Sequence, residues 1–106
     1  MLSPTDVLRN AAGLIEKNGH TKKTYQTDYS LCVVGAIRFA VCGSAYETNI
    51  SKKEMDLVDE SVRLLASKLR YDKFRYFPSG AVVSWNDSFW RTKSQVVNTL
   101  RKSSNA

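Results

Sequence analysis

The feature that most constrains this chain is a stripe near its middle. Met55, Val58, Val62, Leu65 and Leu69 recur every three or four residues, with Leu57 and Leu64 beside them. At 3.6 residues per turn this spacing lays them along one side of a helix. Ser51-Lys52-Lys53-Glu54 just ahead is a capping box, whose serine and glutamate side chains each satisfy a backbone N–H at the helix start. These signals predict a helix over residues 52 to 70. A helix with one apolar face must bury it against other elements, so the remaining chain has to supply partners.

Three further segments can do so. Ser3 can cap a first helix, Pro4 suits its first position and Asp6 places negative charge in its first turn. Val7, Leu8, Ala11, Ala12, Leu14 and Ile15 follow at helical spacing, and Asn18-Gly19 is a stop signal, which predicts a helix over 4 to 18. The nearly all-apolar run Tyr29 to Gly43 is too long for a typical strand and ends on a glycine suited to a C-cap. It predicts a buried helix over about 30 to 42, capped by Asp28 or Ser30, with close backbone packing at Gly35. Thr92-Lys93-Ser94-Gln95 is another capping box, and Val96, Val97 and Leu100 form the inner face of a last helix whose end, 102 to 106, is expected to fray.

Between the last two helices the pattern changes. Pro78-Ser79-Gly80 reads as a turn, and Ala81-Val82-Val83-Ser84-Trp85 as a short strand that could pair with Phe74 to Phe77. The expected fold class is therefore mainly α with a minor α+β character. Four helices form one core in a single domain over residues 1 to 106, with a short β-hairpin or strand between helices 3 and 4.

Charge divides the chain. Through Val62 there are seven Lys/Arg against eight Asp/Glu, and from Arg63 onward nine against two, within a net charge of +6. A basic C-terminal part suits an anionic partner: nucleic acid, a nucleotide-like ligand or an acidic protein surface. The run Arg70, Tyr71, Asp72, Lys73, Phe74, Arg75, Tyr76, Phe77 interleaves bases with aromatics, as single-strand binding surfaces do. In a strand, however, its aromatics would divide between two faces, and no recognisable nucleic-acid motif accompanies it. A solvated basic face with core aromatics is the alternative reading.

Other classes are disfavoured. The start has no apolar signal-peptide region, and no apolar run approaches the roughly 20 residues of a membrane span. Cys32 and Cys42, if on one helix, lie about 15 Å apart, beyond disulfide reach. A cytoplasmic protein without membrane attachment is expected. One histidine and two cysteines offer no zinc spacing, so neither metal nor cofactor is expected.

Three residues allow a catalytic reading. Cys32 in the first turn of a helix would have its thiol pKa lowered by the helix field. His20 and Asp87, or Asn86, are the candidates for base and orienting group. Triads are recognised by geometry, and a buried structural cysteine is the commoner case. Asn86 and Asp87 beside Trp85 either line a binding site, with Arg91 near, or bond their own backbone in an Asx-turn while Trp85 fills the core. Asp87 and Arg91 could also form a local ion pair.

Three anchors carry a resemblance over most of the chain: Val7-Leu8-x-x-Ala11-Ala12-x-Leu14-Ile15 with Gly19, Cys32-x-x-Gly35-Ala36-Ile37, and Trp85-Asn86-Asp87 through Arg91-Thr92 to Val96-Val97-x-x-Leu100. In order and spacing they resemble a small uncharacterised domain family of actinobacteria, other bacteria and phages. That family has no assigned activity to carry over; its phage-borne members imply a small accessory or counter-defence protein. The chain departs from the pattern at His20, where tryptophan is usual, which weakens His20 as a family-wide base. The basic 70–77 run is a second departure. The leading expectation is a non-enzymatic binding protein acting through Arg70, Lys73, Phe74, Arg75, Tyr76, Asn86, Asp87 and Arg91. A cysteine-dependent hydrolase or transferase using Cys32 is one alternative, and a homo-oligomeric structural protein another.

Overall fold

The computed structural model describes residues 2–22, 26–27, 30–44, 49–69, 78–88 and 91–105. Among them are five helices: α1 (Pro4–Asn18), α2 (Val33–Cys42), α3 (Lys52–Leu69), α4 (Pro78–Asp87) and α5 (Lys93–Ser104). A two-stranded antiparallel pair, β1 (Gln26–Thr27) with β2 (Ser30–Leu31), precedes α2.

Helix α1 sits at the centre and packs against α5, α2 and α3. Its predicted stripe is the buried face: Val7, Leu8, Ala11, Ala12 and Ile15 are all fully enclosed. Ser3 and Asp6 form a complete capping box at its start, and Gly19 ends it at a φ of 103° that a side chain would disfavour. Helix α3 buries Val58, Val62 and Leu65 as its stripe requires, with Ser61 on the same face bonded back to the Leu57 carbonyl at 2.7 Å. Its first predicted position differs: Met55 is 41% exposed, so the buried stripe begins one turn later. The Ser51–Glu54 and Thr92–Gln95 capping boxes are both formed.

Helix α2 starts later than expected. Its N-cap is Cys32, beyond the expected Asp28 or Ser30, with Sγ accepting the Gly35 N–H at 3.2 Å. Gly43, in the left-handed region, closes the helix as predicted, and Gly35 is buried in the first turn. The two cysteines thus stand at opposite ends of α2.

The largest correction concerns residues 78–87. The expected turn and strand are instead helix α4, which packs on α3 and α2. Pro78 occupies its first residue, where a missing N–H costs nothing and a fixed φ is pre-set for helix. Ala81, Val82, Trp85 and Asn86 are buried while Val83 is 40% exposed, an i, i+1, i+4, i+5 face that alternation could not produce. The described β-pairing lies between α1 and α2, not between helices 3 and 4. The Phe74 to Phe77 partner strand lies outside the described residues. The C-terminus also differs, since α5 runs to Ser104 with Ser103 and Ser104 buried, and Arg9 donates to the Ser104 carbonyl at 3.4 Å.

Candidate functional site

The site is built where α4 ends. Asn86, on its last turn, is only 2% exposed and uses its amide completely. Its Oδ1 accepts the Val33 N–H at 2.9 Å and contacts His20 Nε2 at 2.8 Å. Its Nδ2 donates to the Thr21 carbonyl at 3.1 Å and to Asp87 Oδ1 at 2.8 Å. A flipped amide would set N–H against N–H at Val33 and oxygen against oxygen at Thr21, so the orientation is determined. Oδ1 must accept, so His20 Nε2 carries a proton and Nδ1 is the nitrogen that titrates.

Asn86 therefore does for α2 what a local cap ordinarily does. The first N–H groups of a helix have no partner within it. At α2 the Val33 N–H goes to Asn86 and the Gly35 N–H to Cys32 sulfur. Of the Asx-turn expected at Asn86 and Asp87, the Asn86 side chain takes no part: it bonds the backbone of distant segments, at Val33 and Thr21.

The α1–α2 connection is threaded onto the same point. Thr21 N–H donates to Leu31 O at 3.1 Å and Leu31 N–H to Gly19 O at 2.9 Å, setting His20 beside Leu31. Lys22 Nζ donates to the Ser88 carbonyl at 2.8 Å, just past α4. Arg91 Nε donates to the Trp85 carbonyl at 3.0 Å, and its guanidinium lies 4.6 Å from the Trp85 ring centroid, a cation–π contact. Two cations thus satisfy carbonyls at the end of α4, where the helix dipole favours them. Trp85 itself is buried as an anchor.

His20, Asn86 and Asp87 are thus brought together, and Cys32 adjoins them as cap of the helix whose first N–H Asn86 holds. The electrostatics disfavour thiol chemistry. Burial pushes the Cys32 thiol above its ordinary 9.0; the N–H groups of Gly35 and Val34 pull it down, and the Asp87 charge adds to the rise. The expected lowering by the helix field does not prevail. Burial also lowers His20 below its ordinary 6.5, opposed by the Asn86 hydrogen bond, assisted by the Lys22 charge and opposed again by Asp87. Among the described residues no hydrogen bond joins His20 to Cys32.

Arg70, Lys73, Phe74, Arg75 and Tyr76 lie outside the described residues. The basic region has another described feature that sequence reasoning missed. A cleft of about 280 Å³ between α3 and α5 is lined by Lys68, Thr99, Lys102 and Ser103. Thr99, Lys102 and Ser103 share one helix face by their spacing, a readable signal, but only packing brings Lys68 opposite. No group of three or more metal-ligating side chains occurs among the described residues, and no described helix is long and apolar enough to cross a membrane.

The profile of a family of unknown function, DUF6197, matches residues 1–106. No curated protein matches the chain, and no solved structure does.

Proposed function

We propose, for a chain that belongs to the DUF6197 family of unknown function, a non-enzymatic role: binding an anionic partner through its basic C-terminal part. The observation that carries this reading is the α3–α5 cleft. Among the described residues its lining offers two ammonium groups and two hydroxyls and no carboxylate. Neither Lys68 nor Lys102 has an ion pair among the described residues. Arg63 and Lys93 add exposed positive charge on the same two helices, Arg101 being paired with Glu16, and Arg70 follows α3 by one residue in the chain. The partner is a nucleic acid, a nucleotide-like ligand or an acidic protein surface. The contacts are Lys68 and Lys102 together with Arg70, Lys73, Phe74, Arg75, Tyr76 and Arg91, while the amide of Asn86 is left to the fold. A phage-borne accessory or counter-defence role is compatible with such a protein.

The test uses a labelled single-stranded oligonucleotide, with poly-glutamate as the acidic-protein probe. One of them is expected to bind at low salt and to weaken steeply as salt rises. For the oligonucleotide, each lysine removed by Lys68→Ala or Lys102→Ala should reduce the log–log salt slope by about 0.7. Binding by neither probe, or binding indifferent to salt, refutes the reading.

The rival is a cysteine-dependent hydrolase or transferase, favoured by the convergence of His20, Asn86 and Asp87 beside the α2 N-terminus. An activated Cys32 would be alkylated by iodoacetamide well below pH 8.5. In a Cys42→Ser background the native protein is expected to react slowly there and faster once unfolded. A homo-oligomeric structural role is a third reading, which sedimentation would reveal.

A further inference from the structure

A second cleft, larger than the first, opens near the other end of α3. Its volume is about 530 Å³, within the roughly 300–1,000 Å³ range of sites that take small ligands or anchoring side chains. Its apolar lining comes from three helical regions: Leu2 ahead of α1, Val41 near the end of α2 and Leu57 in α3. Among the described residues its rim carries Glu54, Asp56 and Glu60, against one cation, Lys53.

Leu2 is the most informative of these residues. Ser3 caps α1, so Leu2 holds the position from which an apolar side chain ordinarily packs down onto the first turn. It nevertheless stays 39% exposed, one of three large apolar side chains so placed among the described residues. The capping box fixes the backbone beside it, through Ser3 N–H to Asp6 Oδ2 at 3.1 Å and Asp6 N–H to Ser3 Oγ at 3.3 Å. The cleft therefore has one wall held in place with an apolar side chain open to solvent.

The carboxylates are unequally engaged. Glu54 bonds the Ser51 N–H within the capping box, and Asp56 meets Lys52 at 3.2 Å across side chains that are 54% and 90% exposed. Glu60 has no ion pair among the described residues. Such a rim complements positive charge, while the floor complements an apolar group.

We propose that this cleft docks a cationic amphipathic segment of a partner protein. A large apolar side chain would seat against Leu2, Val41 and Leu57, and Lys or Arg on either side of it would face Glu60 and Asp56. The net positive charge of the whole chain does not forbid this. Glu60 and Lys68 are eight residues apart on α3, about 12 Å along its axis. That exceeds the screening length of about 8 Å at physiological salt, so the acidic cleft and the basic cleft act as separate surfaces. The site is independent of the anionic-partner reading and uses none of its residues.

Two synthetic amphipathic helices test it, one of Leu and Lys and one with Glu replacing Lys, followed by fluorescence anisotropy and by backbone amide shifts. The Leu/Lys peptide is expected to bind, with shifts centred on Leu2, Val41, Leu57 and Glu60. Glu60→Lys combined with Leu2→Ser is expected to weaken it roughly tenfold or more. Lys68→Ala and Lys102→Ala should leave its affinity unchanged, which separates this site from the α3–α5 cleft. Both Glu60 and Leu2 lie outside the core, so the variants keep the fold, checked by an unchanged urea midpoint. Absence of binding, equal binding of the Leu/Glu peptide, or shifts located elsewhere overturns the proposal. So does sedimentation showing that the protein self-associates through this cleft, for then the occupant is a second copy.

Discussion

Two polar junctions tie distant parts of this chain together, and they are built on opposite principles. On the α1–α5 face, Arg101 grips Glu16 with two bonds of 2.7 and 3.1 Å, both side chains about half exposed. At the end of α4, neutral Asn86 makes four hydrogen bonds in near-complete burial. The ion pair looks stronger on paper. Its partners, however, lose little when separated, because water and salt replace them. Asn86 has no such substitute at Val33, whose buried N–H would otherwise face a low-dielectric interior. The contrast teaches that the worth of a contact here depends on what its partners become when it is gone.

Breaking the buried junction should have the largest effect. Asn86→Ala leaves the Val33 N–H and the Thr21 carbonyl without their partner and opens a small void, and is expected to cost about 3 kcal/mol. A lowered urea midpoint at unchanged m-value would show it; a loss comparable to that of a surface substitution would erase the distinction between the junctions.

A smaller effect should come from pH. His20 has a folded pKa below its ordinary 6.5, chiefly through burial. The unfolded state then binds the proton more readily, so this contribution is fully present above about pH 6.5 and is lost as pH falls through the folded value. Because Nδ1 is the titrating nitrogen, protonation need not break the bond to Asn86, and the loss should be gradual. His20→Gln, which keeps a donor for Asn86 Oδ1, should flatten the slope of stability against pH between 5 and 7.

The smallest effect belongs to the surface pair. The Arg101 hydrogen bond and charge hold the Glu16 carboxyl below its ordinary range. Arg101→Ala should nevertheless shift the urea midpoint least of the three, and not at all in about 1 M salt. A salt-resistant shift would mean that Arg101 contributes through packing as well as charge.

What the sequence made legible follows from range. Helices α1, α3 and α5 announce themselves through signals within a few residues: a stripe, a capping box, a stopping glycine. The family profile over residues 1–106 agrees with the resemblance to an uncharacterised small domain family. Helix α4 reads as turn and strand because a short, largely apolar run, Ala81 to Trp85, suits strand or helix equally, and Pro78 serves a turn as well as a helix start. The start of α2 was misplaced because sulfur is not among the usual capping atoms. The burial of Ser103 and Ser104 depends on α1, ninety-odd positions away, so the end of α5 read as fraying. The Asn86 network was out of reach for the same reason: its partners His20, Thr21 and Val33 are 66, 65 and 53 positions distant. Sequence names His20, Cys32, Asn86 and Asp87 as possible companions; the fold shows that the Asn86 amide bonds His20 and Asp87, while the Cys32 sulfur takes the Gly35 N–H.

The capping of α2 by Asn86 has a consequence for how the chain is made. Helix α2 has its first turn completed by Asn86, which is added to the chain 53 positions after Val33. Until then its opening N–H must be held by water, and the helix cannot settle at that end. The start of α2 is therefore expected to close only once α4 has docked. In hydrogen-exchange measurements on the finished protein, the Val33 amide should open together with α4 rather than with the rest of its own helix.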